Sequence, residues 1–439
     1  MKKQNEHVAL YTDKYEFTML EAALESGVAH KKAVFELFTR RLPAGRNYGV
    51  VVGTARAVEA ISKFQFSEED LDYLGDFLKP STIDYLANFR FTGSVTGYRE
   101  GDFFFPHSPI FTVESTFAEG VLLETILLSI FNYDSAVASA ASHIKVVAGS
   151  TKISELGSRR TNEHSAVYAA RAAYIAGFDS TSNLEAGRRW SEIPVYGTSA
   201  HAFTLAHTSE LEAFKHQVAA LGTATTLLVD TYDIEQGIKN AIEVAGVNLG
   251  AIRIDSGDPF VELPKARLQL DELGATKTKI VLSGDMNRET ITAITEAGLP
   301  VDSYGVGTDV VTGGGAPSCG FVYKLVAIQD DEGGMRAVAK KSASKASVGG
   351  KKTAYREFKD DWSILREVVV TDGANTNVSG YQALQTTFIV RGNLIELNTI
   401  EEARELHAEN LKIAPKAPIE VDVISAEVEV NVADFVDNI

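Results

Sequence analysis

Arginine pairs and a histidine are concentrated in one stretch of the sequence, residues 155–207. Two arginines follow a segment (151–156) that predicts a strand, and the stretch ends on a turn of small residues with His201 just behind it. The arginines come in two pairs: Arg159, Arg160, Arg188 and Arg189. A guanidinium group binds carboxylate or phosphate through two parallel hydrogen bonds. The stretch therefore predicts a site for an anionic ligand.

His201 is the residue of this stretch with the widest chemical range. It follows Gly197-Thr198-Ser199 at a predicted helix start, where backbone N–H groups are free to bind an anion. An isolated histidine is more often a hydrogen-bonded structural residue, but this one shares a predicted ligand-binding edge with carboxylates. Its imidazole can attack a phosphoryl group as a nucleophile or act as a general base. The residues alone leave both roles open.

Four strand-like runs alternate with amphipathic helices towards residue 308. The runs start near Thr225, Gly250, Lys279 and Asp302, at intervals of 23 to 29 residues, which is the length of a βα unit. Such repeats build a parallel sheet or a closed α/β barrel, and both bind ligands at the carboxyl edge of the strands. Polar residues and glycines stand at the predicted carboxyl ends: Asp230, Thr231, Asp255, Ser256, Gly257, Ser283, Gly284, Asp285, Gly305, Gly307 and Thr308. We therefore expect one shared site at this edge.

Two of these strand ends predict particular roles. Asp258 precedes Pro259 and fits the N-cap of a helix, which is a structural role. Asp255 gains nothing as a cap and is better explained as a ligand for a ribose hydroxyl or a metal-bound water. The Gly305-Val306-Gly307-Thr308 turn fits a phosphate cradle, because backbone N–H groups need glycine to approach a phosphate closely. The sequence contains neither a zinc-type His/Cys cluster nor a Walker A motif.

The remaining segments predict the frame around this site. A first helix ends near Gly27, an alternating strand follows between Val34 and Phe38, and two short solvated helices break at Pro80. Short strands fill the region up to Glu114. Two further helices are expected after it, the second with Asp134 as its N-cap.

With 439 residues, the chain is long enough for two or three domains. We expect an N-terminal α+β domain (1–130), an α/β sheet or barrel that carries the predicted site (131–328) and a C-terminal segment (329–439) that packs on the N-terminal domain. Residues 329–354 are polar and rich in lysine and glycine, which predicts a mobile loop or a hairpin. The role of the lysines in 340–352 is left open.

Composition excludes several classes of protein. The formal net charge is −17, which argues against nucleic-acid binding, although a local arginine cluster can still hold a phosphate. Cys319 is the single cysteine, so no intramolecular disulfide forms, and a reducing compartment is expected. The start of the chain lacks the apolar core of a secretory signal. The most apolar window (120–131) is too short to cross a bilayer, so we expect a cytoplasmic protein without membrane contact.

Eight motifs, in order and at characteristic distances, resemble the nicotinate phosphoribosyltransferase family: YTDKYEFTM, FELFTRRLP, ELGSRR, GFDSTSN, YGTSAHAF, IRIDSGD, LSGD and YGVGT. The resemblance runs from about Leu10 to the Lys351-Lys352 region. It implies an α/β fold with the irregular, TIM-like barrel of type II phosphoribosyltransferases, and an additional α+β domain formed by the N-terminal and C-terminal segments. It also implies a homodimer with active sites at the subunit interface.

The reaction implied by the resemblance joins nicotinate to phosphoribosyl pyrophosphate, giving nicotinate mononucleotide and pyrophosphate in NAD salvage. Mg²⁺ is the implied cofactor. ATP is an implied co-substrate whose hydrolysis is coupled through a phosphohistidine at His201. Asp255 and Arg253 complete the implied catalytic set. Mg²⁺ would be held near Asp255 through the substrate pyrophosphate, without direct protein ligands.

The same resemblance assigns the substrate-binding residues. Arg159 would face the nicotinate carboxylate or the phosphates, Asp255 would hold the ribose, and Tyr15 of the partner subunit would stack on the pyridine ring. Leu156 stands where relatives that use nicotinamide have a phenylalanine, so the ring would be held by Tyr15 on one face only. The full set is Tyr15, Arg159, Arg160, Thr181, Ser182, Ser283, Gly284, Asp285, Gly305, Gly307 and Thr308.

Three other functions fit parts of the same pattern. Nicotinamide phosphoribosyltransferase would use the amide instead of the acid, but Arg159, Arg160 and the hydroxyl groups of Thr181 and Ser182 favour a carboxylate. Quinolinate phosphoribosyltransferase would lack the phosphorylatable histidine, so ATP dependence separates it. A non-catalytic pyridine-nucleotide sensor with the same fold would have no need for a histidine that reacts with ATP.

Overall fold

The computed structural model describes residues 8–340, 348–395 and 397–425. The strands of these residues are β1 Lys32–Thr39, β2 Gly49–Val50, β3 Ser94–Gly97, β4 Phe103–Phe104, β5 Phe111–Thr116, β6 Lys152–Glu155, β7 Ser180–Thr181, β8 Thr226–Leu228, β9 Ala251–Ile254, β10 Lys279–Leu282, β11 Ser303–Val306, β12 Phe321–Gln329, β13 Met335–Ala337, β14 Lys352–Phe358, β15 Ile364–Thr371, β16 Gln382–Ala383, β17 Thr386–Val390, β18 Asn393–Leu394 and β19 Glu420–Ile424.

The helices follow the same chain order. They are α1 Lys14–Ser26, α2 Thr54–Ser62, α3 Glu68–Gly75, α4 Pro80–Ala87, α5 Phe117–Val121, α6 Glu124–Ala148, α7 Glu163–Ile175, α8 Leu184–Arg189, α9 His201–Leu205, α10 Glu210–Leu221, α11 Ile234–Ala245, α12 Pro259–Glu272, α13 Arg288–Glu296, α14 Thr308–Val311 and α15 Ile400–Lys412, with a 3-10 turn at Val28–His30. Within the described ranges, none is long and apolar enough to cross a membrane.

The chain divides into two compact units. The first unit comprises the described residues of 1–135 and 318–439, and the second unit is Ala136–Pro317. The three-segment domain organisation expected from the sequence stays a prediction.

An antiparallel sheet organises the first unit. Its strand order in the described residues is β13-β12-β1-β5-β3-β17-β18, and β1 pairs antiparallel with both β5 and β12. The predicted strand at β1 is confirmed. Both of its alternating sets of side chains are buried. The predicted helix end near Gly27 is also confirmed, because this residue closes α1 with a φ of 77°, which glycine adopts without strain.

A curled, parallel half-barrel sheet organises the second unit. Its strand order is β7-β6-β11-β10-β9-β8, and every neighbouring pair is parallel. The predicted starts of the last four strands are confirmed to within one residue, since β8 to β11 begin at Thr226, Ala251, Lys279 and Ser303. The α/β fold class with an irregular barrel is confirmed as well. The helices α11, α12 and α13 connect consecutive parallel strands, as βα units require.

Two sequence-based expectations about this frame are wrong. The two helices expected between residues 120 and 149 are a short α5 followed by one continuous α6, because no glycine or proline interrupts residues 124–148. Asp134 is therefore inside a helix and caps nothing. Its carboxylate accepts two hydrogen bonds from Arg56, at 2.7 and 2.8 Å.

The polar, lysine-rich segment 329–354 is more ordered at its ends than expected. β12 and β13 form an antiparallel hairpin, one of the two predicted alternatives. Lys352, expected in a mobile loop, instead begins β14, where its buried ammonium group lies 2.8 Å from the Glu36 carboxylate. Residues 341–347, which carry the middle of the predicted loop, lie outside the described residues, as do residues 426–439 of the predicted C-terminal segment.

Candidate active site

The parallel sheet places the carboxyl ends of β6 to β11 along one edge of the second unit. Loops at this edge carry nearly all the site residues predicted from the sequence. Asp258 does not take part, because its side chain accepts a hydrogen bond from the Phe260 backbone N–H at 2.9 Å and caps α12. The predicted structural role of Asp258 is thus confirmed.

His201 begins α9 and is held by a buried carboxylate. Its Nε2 lies 3.1 Å from Oδ1 of Asp230, which is two residues beyond the end of β8. The imidazole is 40% exposed, whereas the Asp230 side chain is 1% exposed. The predicted helix start at His201 is confirmed. An imidazole that is partly exposed to solvent and held by a buried carboxylate is suited to act as a nucleophile.

Asp230 also joins His201 to the next strand. Its Oδ2 accepts a hydrogen bond from the backbone N–H of Asp255 at 2.9 Å and from the Ser256 hydroxyl at 2.7 Å. His201 and Asp255 are thus two links of one hydrogen-bonded chain. Sequence reasoning placed Asp230 at a strand end but gave it no role, and the spacing of the strands was the signal that could have found it.

Arg253, Asp255 and Ser283 form a second cluster across β9 and β10. The Arg253 guanidinium donates to Asp255 Oδ1 at 2.6 Å and to the Ser283 hydroxyl at 2.7 Å, and the Ser283 hydroxyl itself donates to Asp255 Oδ1. Burial opposes ionisation of Asp255. The Ser283 and Arg253 hydrogen bonds and the Arg253 charge outweigh that effect, so the pKa of Asp255 is lower than usual. Asp255 is therefore an anion at neutral pH, and its Oδ2 has no hydrogen-bond partner among the described residues.

Glycine is required by close contacts in the loops after β10 and within β11. Gly284 has a φ of 83°, and a Cβ atom there would lie 2.0 Å from the backbone oxygen of Asp255. At Gly305, a Cβ atom would lie 2.5 Å from the Leu156 side chain and 3.1 Å from that of Ser283. The structure thus brings these turns against the Asp255 cluster. The neighbouring predicted residues are Asp285, which has a φ of 38°, Gly307, and the exposed Thr308 at the start of α14.

Arg159 and Arg160 are exposed on the turn after β6. Within the described part of the chain, neither guanidinium group forms a salt bridge, so both are available to an anionic ligand. The second arginine pair differs, because Arg188 and Arg189 lie 2.6 and 2.8 Å from the Glu185 carboxylate. That pair is a surface ion-pair network on α8.

Thr181 ends β7 and Ser182 directly follows it, beside the turn of residues 156–160 (the arginine turn). Thr181 is buried, and its hydroxyl donates to Glu155 Oε2 at 2.5 Å. Ser182 is half-buried, and its backbone N–H donates to the Glu155 backbone oxygen at 3.0 Å. The only hydrogen of the Thr181 hydroxyl is thus committed within the protein. Glu155 is the first residue of the ELGSRR motif, but sequence reasoning gave it no role because its partners on β7 are distant in the sequence.

Tyr15 belongs to the first unit, where it is the second residue of α1. Its side chain is 47% exposed. Partial burial, followed by the charges of Glu124 and Glu16, raises the pKa of Tyr15 to about 12, so its hydroxyl stays neutral. Its placement on a pyridine ring stays a prediction.

Comparisons with known proteins show what this chain is similar to. Residues 10–132 match the model of the nicotinate phosphoribosyltransferase (NAPRTase) N-terminal domain, and residues 151–381 match that of the nicotinate phosphoribosyltransferase (NAPRTase) family. A nicotinate phosphoribosyltransferase of Mycobacterium tuberculosis is 49% identical over 415 residues, covering 92% of this chain and 91% of the relative. The Bacillus subtilis enzyme is 42% identical over 364 residues, covering 80% and 74%. The crystal structure of human nicotinic acid phosphoribosyltransferase shares the fold, with a TM-score of 0.81, 24% identity, and coverage of 95% and 98%.

Proposed function

The chain belongs to the nicotinate phosphoribosyltransferase family, a group of pentosyltransferases of pyridine-nucleotide synthesis, and we propose that its reaction is coupled to ATP through a phosphohistidine at His201. The observation that carries this proposal is the link from His201 through Asp230 to Asp255. It connects a half-exposed nucleophile to the carboxylate proposed to hold the ribose. A change of charge on the imidazole therefore alters the electrostatic environment of Asp255 at the proposed ribose site.

The hydrogen bond to Asp230 selects which nitrogen of His201 reacts. Asp230 Oδ1 accepts from Nε2, so the proton of the neutral ring is on Nε2 and the lone pair is on Nδ1. In the proposed step, Nδ1 attacks the γ-phosphorus of ATP, a phosphorus–oxygen bond breaks, and ADP leaves. Asp230 stabilises the charge that the ring acquires, as a carboxylate does for a reacting histidine. Hydrolysis of the phosphohistidine later returns phosphate.

The Asp255 cluster is the proposed ribose site. Arg253 and the Ser283 hydroxyl fix Asp255 Oδ1, which leaves the ionised Oδ2 to accept a hydroxyl of the sugar. The same oxygen fits a water on Mg²⁺, and the ion would neutralise charge on the departing pyrophosphate. The loops around Asp255 are the proposed binding site of the 5′-phosphate. Their residues are Ser283, Gly284, Asp285, Gly305, Gly307 and Thr308.

The exposed arginine turn is the proposed site of the nicotinate carboxylate. Among the residues that the structure describes, Arg159 and Arg160 form no ion pair, and Ser182 directly follows the neighbouring strand β7. Two guanidinium groups favour the acid over the uncharged amide, since only a carboxylate forms a charge-assisted, bidentate pair with a guanidinium group. Thr181 lies beside them, but its hydroxyl is bound to Glu155, so we assign it to positioning. Tyr15 of the partner subunit in a homodimer is the proposed ring platform.

Transfer requires no general base on the protein. The pyridine nitrogen is unprotonated near neutral pH and attacks the anomeric carbon, while the bond from that carbon to pyrophosphate breaks. The transition state resembles an oxocarbenium ion, as in glycoside transfer. Catalysis then depends on positioning by Asp255 and the arginines, and on stabilising the leaving pyrophosphate.

The test is formation of nicotinate mononucleotide with and without ATP. We expect His201→Ala to abolish the stimulation by ATP, and to leave slow ATP-independent transfer because the ribose site stays intact. Labelled phosphate from ATP should appear on the wild-type protein and be absent from the variant. His164→Ala, an exposed histidine in the first turn of α7, is the matched control and should behave as wild type. Equal ATP-coupled turnover in His201→Ala would remove His201 from this role.

A further inference from the structure

Glu155 is a buried carboxylate that the proposed reaction does not use. It ends β6 and is 1% exposed. Its Oε1 accepts the backbone N–H of Gly157, and its Oε2 accepts the Thr181 hydroxyl at 2.5 Å. Its backbone oxygen accepts the N–H of Ser182 at 3.0 Å. A single residue therefore ties the loop after β6 to the loop after β7.

The same two loops are joined further along. The Thr181 hydroxyl accepts the N–H of Asn183 at 3.0 Å, and the Asn183 amide donates to the Ser158 hydroxyl at 3.0 Å. Ser158 directly precedes Arg159 in the arginine turn, residues 156–160. The chain of hydrogen bonds thus runs from the buried Glu155 to Ser158, the residue before the exposed Arg159.

Packing leaves the arginine turn little freedom on its other side. A Cβ atom at Gly157 would lie 2.2 Å from the Val311 side chain and 2.8 Å from the backbone oxygen of Gly307. The arginine turn therefore packs closely against the Gly307 loop, and the hydrogen bond from Gly157 to Glu155 holds it in that position. Positions fixed by both packing and hydrogen bonds are those at which a ligand contact is pre-organised.

Hydrogen bonding distinguishes Glu155 from a residue that only fills space. Burial raises its pKa, against the Thr181 and Gly157 hydrogen bonds that lower it, and no cation pairs with it in the described part of the chain. A buried carboxylate without a cation costs free energy. A carboxylate is, however, the side chain that accepts from both loops at once.

We propose that Glu155 is a positioning residue that sets the spacing of the arginine turn and Ser182, and thereby the affinity for nicotinate. This inference rests on the proposed function, in which Arg159 and Ser182 receive the nicotinate carboxylate. Glu155 acts through these residues and does not touch the substrate.

The experiment compares KM for nicotinate, KM for phosphoribosyl pyrophosphate, kcat and the melting temperature in matched variants. We expect Glu155→Ala to raise the nicotinate KM by about tenfold or more, because two hydrogen bonds that hold the loops are lost. The KM for phosphoribosyl pyrophosphate and kcat should change far less. Glu155→Gln should restore most of the affinity, since its amide can accept from Gly157 and donate to Thr181.

Substitution of Thr181 removes the Glu155–Thr181 hydrogen bond and leaves the Glu155 side chain in place. Thr181→Val should raise the nicotinate KM, and Thr181→Ser should not, because serine retains the hydroxyl. In the double variant Glu155→Ala/Thr181→Val, the increase in KM should be smaller than the product of the two single increases, since both changes remove the Glu155–Thr181 hydrogen bond. Glu163→Ala, on the first turn of α7, is the control and should leave all parameters unchanged.

The outcomes separate the two hypotheses. An unchanged nicotinate KM in Glu155→Ala, alongside a raised KM in Arg159→Ala, overturns the role of Glu155 and leaves the nicotinate site standing. Unchanged values in both Arg159→Ala and Ser182→Ala overturn the site, and the role of Glu155 with it. If Glu155→Ala does not fold, the Thr181 pair decides. Equal behaviour of Thr181→Val and Thr181→Ser overturns the inference.

Discussion

Asp230 shows how much one buried side chain can organise. One of its oxygens holds the imidazole of His201, and the other accepts from the Asp255 backbone and the Ser256 hydroxyl. Removing this carboxylate would free the ring and leave two donors without an acceptor. A carboxylate that satisfies donors from two loops fixes their relative position more tightly than either loop could alone.

Arg159 carries the most specific prediction at the scale of the single residue. We expect Arg159→Ala to raise the nicotinate KM by roughly 10- to 100-fold, the effect of losing a charge-assisted, bidentate contact. Discrimination against nicotinamide should fall in the same variant, as measured by competition between acid and amide. Arg188→Ala is the control, because Arg188 is already paired with Glu185 at 2.6 Å. An unchanged nicotinate KM would move the carboxylate to Arg160.

Residue types and spacing predicted the exposed part of the site, but not its buried support. His201, Asp255 and the glycine turns stand at strand ends or in motifs, where a polar residue has few structural explanations. The side chains of Glu155 and Asp230 are buried and hold the loops through hydrogen bonds. Their partners are set by which strands lie side by side, and the order β7-β6-β11 is not contained in any local pattern.

At the scale of elements, the parallel strands are what bring the site together. Each βα unit contributes one short loop, and regular spacing made those strands predictable to within one residue. Where the pattern was less regular, the prediction failed. α6 continues through Asp134 because helix propensity is unbroken there, and Lys352 enters β14 because Glu36 supplies a buried partner. Tertiary pairing of this kind overrides local composition.

Gly284 tests how closely the loops of neighbouring elements must approach. Gly284→Ala would place a Cβ atom 2.0 Å from the backbone oxygen of Asp255, at a φ of 83°. We expect a large loss of kcat/KM for phosphoribosyl pyrophosphate, because Asp255 must move. Gly298→Ala is the matched control, with a φ of 64° and nothing within 4 Å. It should cost about 1 kcal/mol in the free energy of unfolding and leave activity intact. Equal activity in both variants would contradict the close approach.

At the scale of the whole molecule, pH-dependent stability should come in part from Glu16. This residue is fully buried, and its carboxylate accepts from the Thr125 backbone N–H at 3.0 Å and from the hydroxyls of Thr12 and Thr125. Burial raises its pKa from 4.5 to about 6. Because the folded state holds the proton more tightly, this stability is fully present below the unfolded value and is lost as the pH rises through about 6.

Glu16→Gln should therefore flatten the dependence of stability on pH. Between about pH 4 and about pH 7, we expect the wild type to lose about 2 kcal/mol more unfolding free energy than the variant, as measured by urea denaturation. Glu25→Gln is the control, because the Glu25 side chain is 74% exposed and pairs only at the surface with Lys79. Parallel curves for wild type and Glu16→Gln would show that Glu16 titrates normally.

The proposed homodimer can be tested by combining two inactive variants. If each active site is built from two subunits, a dimer of two different variants contains one intact site. If Tyr15 of the partner subunit serves the site that contains His201, then Tyr15→Ala and His201→Ala each disable both sites of their own homodimer. In a hybrid dimer, one site receives an intact Tyr15 and an intact His201. Co-expression of the two variants should then recover about a quarter of the wild-type ATP-stimulated rate, as random pairing of subunits requires. Recovery that stays at the sum of the separate variants would mean that each site is completed within one chain.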